Sequence, residues 1–133
     1  MKRTLGLDVG GANLKVSDGQ QYAASAYFPL WQRPADLADA IAALLDAAPP
    51  ADHLALTMTG ELADCFETKR EGVQHILAAA AAAAGSRTLA VYALGGPFVS
   101  AEQARSQPAD VAAANWHALA TAASGLVSVS PVL

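Results

Sequence analysis

Cysteine is almost absent from this chain. Cys65 is the only one in 133 residues, so no internal disulfide can form and no cysteine-based metal cluster can be built. Charge is scarce as well, at 15% of residues. The cations Lys2, Arg3, Lys15, Arg33, Lys69, Arg70, Arg87 and Arg105 are scattered, and the net charge is -4 with a pI near 5.1. A nucleic-acid-binding face needs clustered cations, so an extended polyanion is disfavoured as a partner. A single phosphate group is not, because backbone amides can hold one. Apart from an alanine tract there is no run of about 18 apolar residues, so no membrane span is expected. Met1-Lys2-Arg3 is basic, but Asp8 interrupts the apolar stretch that follows, which is not the pattern of a signal peptide. A cytoplasmic location is the default expectation. The histidines His53, His75 and His117 show no zinc-ligand spacing.

What the chain does have is aliphatic bulk. Hydrophobic residues make up 53%, too many for a disordered chain. The length suits one domain over residues 1–133, able to bury roughly two-thirds of its unfolded surface.

Leu5, Leu7 and Val9 alternate with other residues, which is strand periodicity. Gly10-Gly11 offers a turn with positive φ available, and Leu14 and Val16 resume the alternation. Asp18-Gly19 signals a second hairpin. Tyr22 to Leu30 reads as a third strand with Tyr22, Ala24, Ala26 and Phe28 on one face. The period then changes. Pro34 suits a helix start, Leu37, Ile41, Leu44 and Leu45 follow at helical spacing, and Pro49-Pro50 ends the helix. His53 to Met58 is a short apolar strand. Thr68 with Glu71 forms a capping box before a helix whose buried stripe is Val73, Ile76, Leu77 and Ala80. Ala78 to Ala84 reads as its packing face, and Gly85 suits its C-terminal cap. Thr88 to Leu94 is the next strand, and Gly95-Gly96-Pro97 turns the chain. Ser100 with Gln103 forms a second capping box. Pro108 to Ser124 reads as a longer helix and Leu126 to Val129 as the start of another strand. Three antiparallel strands followed by alternating helices and strands imply an α/β fold with a mixed sheet. This is the element order of a ribonuclease-H-like lobe.

Three segments carry candidate chemistry. In Leu7-Asp8-Val9-Gly10-Gly11-Ala12-Asn13-Leu14-Lys15, the glycines let backbone amides approach an anion. Asn13 can donate a hydrogen bond, Lys15 supplies a point charge for phosphate, and Asp8 can hold a hydrated magnesium ion. The bland alternative is an ordinary Gly-Gly hairpin with solvated charges. In Thr57-Met58-Thr59-Gly60-Glu61-Leu62-Ala63-Asp64-Cys65-Phe66, the chain leaves a buried strand where open sheets place their ligand crevices. Thr59, Glu61 and Asp64 can reach a nucleotide, metal or substrate there. The alternative is a helix start capped by Thr59, with Glu61 favouring its dipole. Cys65 has no activating partner in sequence and reads as a small buried hydrophobe. Asn115-Trp116-His117 reads as a packed helix segment more readily than as a catalytic one.

The first segment resembles the phosphate-binding hairpin of the actin, Hsp70 and sugar-kinase superfamily. Taken with Met58-Thr59-Gly60-Glu61-Leu62-Ala63-Asp64-Cys65-Phe66, with Lys69 and Glu71-Gly72-Val73, and with the stretch from Ala113 through Asn115-Trp116-His117 to Leu119, the chain resembles the hydantoinase/oxoprolinase-related proteins of tetrahydromethanopterin-linked one-carbon transfer. The resemblance implies the first lobe of an actin-like ATPase fold and an ATP-dependent amine-coupling activity in making methanofuran-type cofactors. It implies that Asp8 serves magnesium and that Gly10, Gly11, Asn13 and Lys15 serve the phosphates of ATP. Glu61 and Asp64 would lie near the reacting groups, as catalytic residues. The implied partners are a nucleotide and a small-molecule amine, with neither nucleic acid nor membrane. Such proteins continue into a second phosphate hairpin with an Asp-x-Gly turn and a second lobe. Here Leu126 to Leu133 falls where that hairpin starts, with Ser128 and Ser130 at positions of an acidic residue and a glycine. The expectation is therefore a single lobe without its second half, binding ATP weakly alone and pairing with a second copy or a second-lobe partner. Two further readings stand beside it. One is a non-catalytic interaction module. The other is a ribonuclease-H-like nuclease in which Asp8 and Glu61 hold two metals, against which the lack of a basic groove argues.

Overall fold

The structure is a computed structural model that describes residues 3–94 and 98–112. Strands β1 (Thr4–Val9), β2 (Asn13–Ser17) and β3 (Ala23–Tyr27) come first. A 3-10 turn at Pro34–Asp36 leads into α1 (Leu37–Asp46), then β4 (His53–Met58). A second 3-10 turn, Gly60–Leu62, precedes α2 (Lys69–Ala84) and β5 (Thr88–Tyr92). Strand β6 (Phe98–Ser100), α3 (Ala101–Ser106) and a 3-10 turn at Pro108–Asp110 follow. Among the described residues the strands form a sheet of order β3-β2-β1-β4-β5-β6. β1 pairs in parallel with β4, and β4 with β5. β1 with β2, β2 with β3, and β5 with β6 are antiparallel. The architecture is mixed α/β, as the element order implied.

Alternation decides the layers. Leu5, Leu7 and Val9 of β1, Leu14 and Val16 of β2, and Leu54, Leu56 and Met58 of β4 are buried together in one core. The buried stripes of α1 (Leu37, Ile41, Leu44, Leu45) and α2 (Val73, Ile76, Leu77, Ala80, Ala84) belong to the same core. Asp52 gathers the N-terminal ends of three strands. Its carboxylate accepts from the Arg3 N–H at 2.9 Å, its own N–H donates to the Arg3 carbonyl at 2.9 Å, and its carbonyl accepts from the Thr88 N–H at 2.9 Å. At the β2–β3 hairpin, the Asp18 carboxylate accepts from the N–H groups of Gln20, Gln21 and Tyr22, and Gly19 takes φ of 77°.

Several boundaries differ from the sequence reading. The third strand ends at Tyr27, not Leu30. Beyond it, Phe28 and Leu30 donate to the carbonyls of Ala12 and Gly11 at 2.8 and 3.1 Å, so the chain bends over the first hairpin turn and leaves the ladder. The Thr68 cap forms, its hydroxyl accepting from the Glu71 N–H at 3.1 Å, but the Glu71 carboxylate accepts from the N–H of Glu67, not of Thr68. The Ser100–Gln103 capping box closes in both directions. Strand β6 was not anticipated, because three residues are too few to show a period. Pro108 begins a 3-10 turn. The remainder of the expected last helix, the expected strand from Leu126 and the Asn115-Trp116-His117 segment lie outside the described residues.

Candidate functional site

The site is built where β1 and β4 end side by side. Both strands are parallel, so their exit loops emerge at the same edge of the sheet, the position at which open α/β sheets bind ligands. The β1 loop turns through Gly10, Gly11 and Ala12, closed by the Gly10 N–H donating to the Asn13 carbonyl at 3.0 Å. The β4 loop is tied to it: the Thr59 N–H donates to the Val9 carbonyl at 3.0 Å.

The glycines of the two loops serve close approach. Among the described glycines only Gly19 and Gly85 take positive φ, so the left-handed turn available at Gly10-Gly11 is not used. A Cβ on Gly10 would lie 3.1 Å from the Asn13 carbonyl oxygen and 3.8 Å from Thr59 Oγ1. One on Gly60 would lie 2.8 Å from Leu30 Cδ2 and 3.2 Å from the Gly10 oxygen. At Gly11 a Cβ would meet nothing within 4 Å. The first two glycines lock the loops together, and the third leaves open space above the turn.

Ahead of the turn lies a polar row. Lys15 of β2, Asp8 of β1 and Thr57 of β4 are register partners across three strands, so their side chains share one face. That face is opposite to the one carrying Leu7, Val9, Leu56 and Met58. It floors an open groove of about 590 Å³, in which Lys15, Asp8 and Thr57 line one part and Gly6, Ala55 and Phe98 another. Asp8 is half-buried and Lys15 exposed. Burial pushes the Asp8 carboxyl above its usual range, and the Lys15 charge pulls it partly back. Asp8 Oδ1 is buried without a hydrogen-bond partner, and so is Thr57 Oγ1. Orphaned acceptors of this kind are costly in a fold unless a ligand uses them. No group of three His, Cys, Asp or Glu that could hold a metal is found among the described residues. A lone carboxylate with an open groove fits a hydrated magnesium ion, which keeps most of its waters.

The second candidate segment divides. Thr59 stands at the N-cap of the Gly60–Leu62 3-10 turn with Glu61 in its first turn, so the helix start is present as a single short turn, but the Thr59 side chain makes no capping hydrogen bond. Glu61 is only 2% exposed. It is pressed against α2, where a Cβ on Gly72 would come within 2.6 Å of its Cα. Asp64 is exposed. Asn13 is also exposed, at the start of β2. Cys65 is half-buried, its thiol donating to the Leu30 carbonyl at 3.6 Å, and burial raises its pKa. A thiol so placed is a packing group, as its sequence context suggested. His75 Nε2 donates to the Pro34 carbonyl at 2.7 Å, and its ring tilts against Phe66 at 5.3 Å, both structural contacts.

Sequence reasoning assigned no role to Thr57, Gly60 or Gly72. For Thr57 the signal was present: it is a polar residue on the Ala55 side of a strand whose other side is Leu54, Leu56 and Met58. For the two glycines the signal lies in contacts between distant segments.

A family model described as hydantoinase/oxoprolinase matches residues 52–131. The chain belongs to the hydantoinase/oxoprolinase family. It is also 36% identical over 132 residues to the (4-{4-[2-(gamma-L-glutamylamino)ethyl]phenoxymethyl}furan-2-yl)methanamine synthase of Methanocaldococcus jannaschii. That match covers 97% of this chain and 39% of the synthase. The family match starts just before β4 and takes in the Thr59–Asp64 loop, whereas the β1–β2 hairpin is reached by the match to the synthase. Among the described residues of this family member, no helix is long and apolar enough to cross a membrane.

Proposed function

We propose that this hydantoinase/oxoprolinase family member is the phosphate-handling lobe of an ATP-dependent amine-coupling enzyme that makes a methanofuran-type cofactor. The strand order β3-β2-β1-β4-β5 supports a ribonuclease-H-like lobe of the actin-like kind. The match to a synthase whose product is a furan-bearing methanamine supports the substrate class, a small amine building block. The observation that carries the reading is the locking of the Gly10 turn onto the Thr59-Gly60 turn, with Asp8 and Lys15 on the adjoining strand face.

In this reading the Gly10–Asn13 turn receives the phosphates of ATP and Lys15 places a positive charge beside them. The turn is held before any ligand arrives, because Gly11 and Ala12 already spend their carbonyls on Leu30 and Phe28. Such preorganisation lowers the ordering cost of binding. Asp8 holds the magnesium that accompanies the nucleotide, which screens phosphate charge and orients the terminal group. Glu61 and Asp64 are proposed to act nearer the amine, with Asp64 free to meet substrate and Glu61 shaping the loop from beneath.

The test is a titration of the chain with Mg-ATP followed by backbone NMR, which detects weak binding. The expected result is shift changes centred on Gly10 to Asn13 and Lys15, lost in Asp8→Ala. Gly11→Ala should melt like the wild type, since its Cβ meets nothing, yet bind at least about tenfold more weakly by filling the space above the turn. Shifts located elsewhere, or undiminished in Asp8→Ala, would overturn the assignment.

A further inference from the structure

The polar row on the groove floor contains one member with no role so far. Thr57 sits beside Asp8 in the parallel β1–β4 register. Its hydroxyl oxygen is buried and has no hydrogen-bond partner, although it borders an open groove. Asp8 Oδ1 beside it is in the same condition. A buried hydroxyl left unsatisfied works against the fold. Valine has the same shape and favours strands equally well. For folding alone, threonine is the worse choice here.

We propose that Thr57 is the positioning residue of the cation site at Asp8, its hydroxyl bonding a water of the ion's hydration shell. The inference rests on the reading of Asp8 as the magnesium carboxylate. Adjacent strands lie about 4.8 Å apart, a span that one water can bridge with hydrogen bonds of about 2.8 Å. Lys15 flanks Asp8 on the other side, so the hydrated ion is held on the Thr57 side, away from the ammonium. Outer contacts of this type orient the coordinating group and tune the ion's affinity. Thr57 touches no reacting atom and is not a catalytic residue.

The experiment uses Mn²⁺ alone as the probe, with paramagnetic broadening of backbone amides as the readout and Mg²⁺ competition as the control. Wild type, Thr57→Val, Thr57→Ser and Asp8→Ala are compared. The expected outcome is broadening around Asp8 in the wild type, an apparent Kd raised about tenfold in Thr57→Val, and recovery in Thr57→Ser. Thr57→Val should also melt at the same or a higher temperature, because it removes an orphaned hydroxyl. A residue that merely supported the strand would behave oppositely, losing stability and leaving Mn²⁺ affinity unmoved. Equal affinities in wild type and Thr57→Val, with binding lost in Asp8→Ala, would refute the role of Thr57 alone. No broadening in the wild type would remove the cation site itself, and the inference with it.

Discussion

Asp8 illustrates how one residue can be set against its fold. Its carboxyl is raised above the ordinary value of 3.8, first by burial and in part offset by Lys15. The folded chain therefore holds this proton more tightly than the unfolded chain does. The stabilising contribution is present below the unfolded pKa and is lost as pH rises through the folded one. At neutral pH the ionised carboxylate works against folding. In metal-free buffer, Asp8→Asn should melt above the wild type at pH 7, and the gap should close as pH falls toward 3.8. Thermal melts across that range decide the matter, and a gap that widens at low pH would contradict the assigned burial.

At the scale of elements, α2 and the Gly60–Leu62 turn depend on a single missing side chain. Gly72 lies within a 16-residue helix, where alanine would normally gain about 1 kcal/mol from propensity. Here the added Cβ would come within 2.6 Å of the Glu61 Cα and 2.8 Å of its carbonyl oxygen. Backbone atoms cannot rotate away, so overpacking of about 1–3 kcal/mol or more should outweigh the propensity gain. Gly72→Ala should lower the Tm by several degrees, about 3–8 °C. It should also disturb the Thr59–Gly60 loop, visible as NMR shifts at Gly10. An unchanged Tm would show that the helix can slide off the turn at little cost. Helix start, helix end and both cap residues of α2 were legible in the sequence, because they are local. Its contact with Glu61 was not, because it joins residues eleven positions apart across an intervening loop.

For the molecule as a whole, the sheet order sets where stability resides. Among the described residues, β1 and β4 are central and bonded on both sides, whereas β3 and β6 are edges. Edge strands expose one row of backbone groups and open locally. Hydrogen exchange should therefore be slowest at Leu5, Leu7, Leu54 and Leu56, by roughly two orders of magnitude or more relative to exchange at the edge positions of β3 and β6. Comparable protection across the sheet would indicate that an edge is covered in solution. The groove face gives a reason to look: Phe98 is 49% exposed and Tyr27 70% exposed, on the two edge strands.

The alternation of Leu5, Leu7 and Val9, the period of α1 and α2 and the caps at Thr68 and Ser100 were determined by the sequence itself, because each depends on neighbours a few residues away. The β1–β2 hairpin was legible for the same reason, and so was the family. Only the tertiary structure decided that Gly10 and Gly60 lock two loops together, that Glu61 is buried beneath α2, and that Thr57 stands beside Asp8. The first and last arise from pairing strands about fifty residues apart, the second from how the chain between the Gly60–Leu62 turn and α2 folds back, and no local pattern records either.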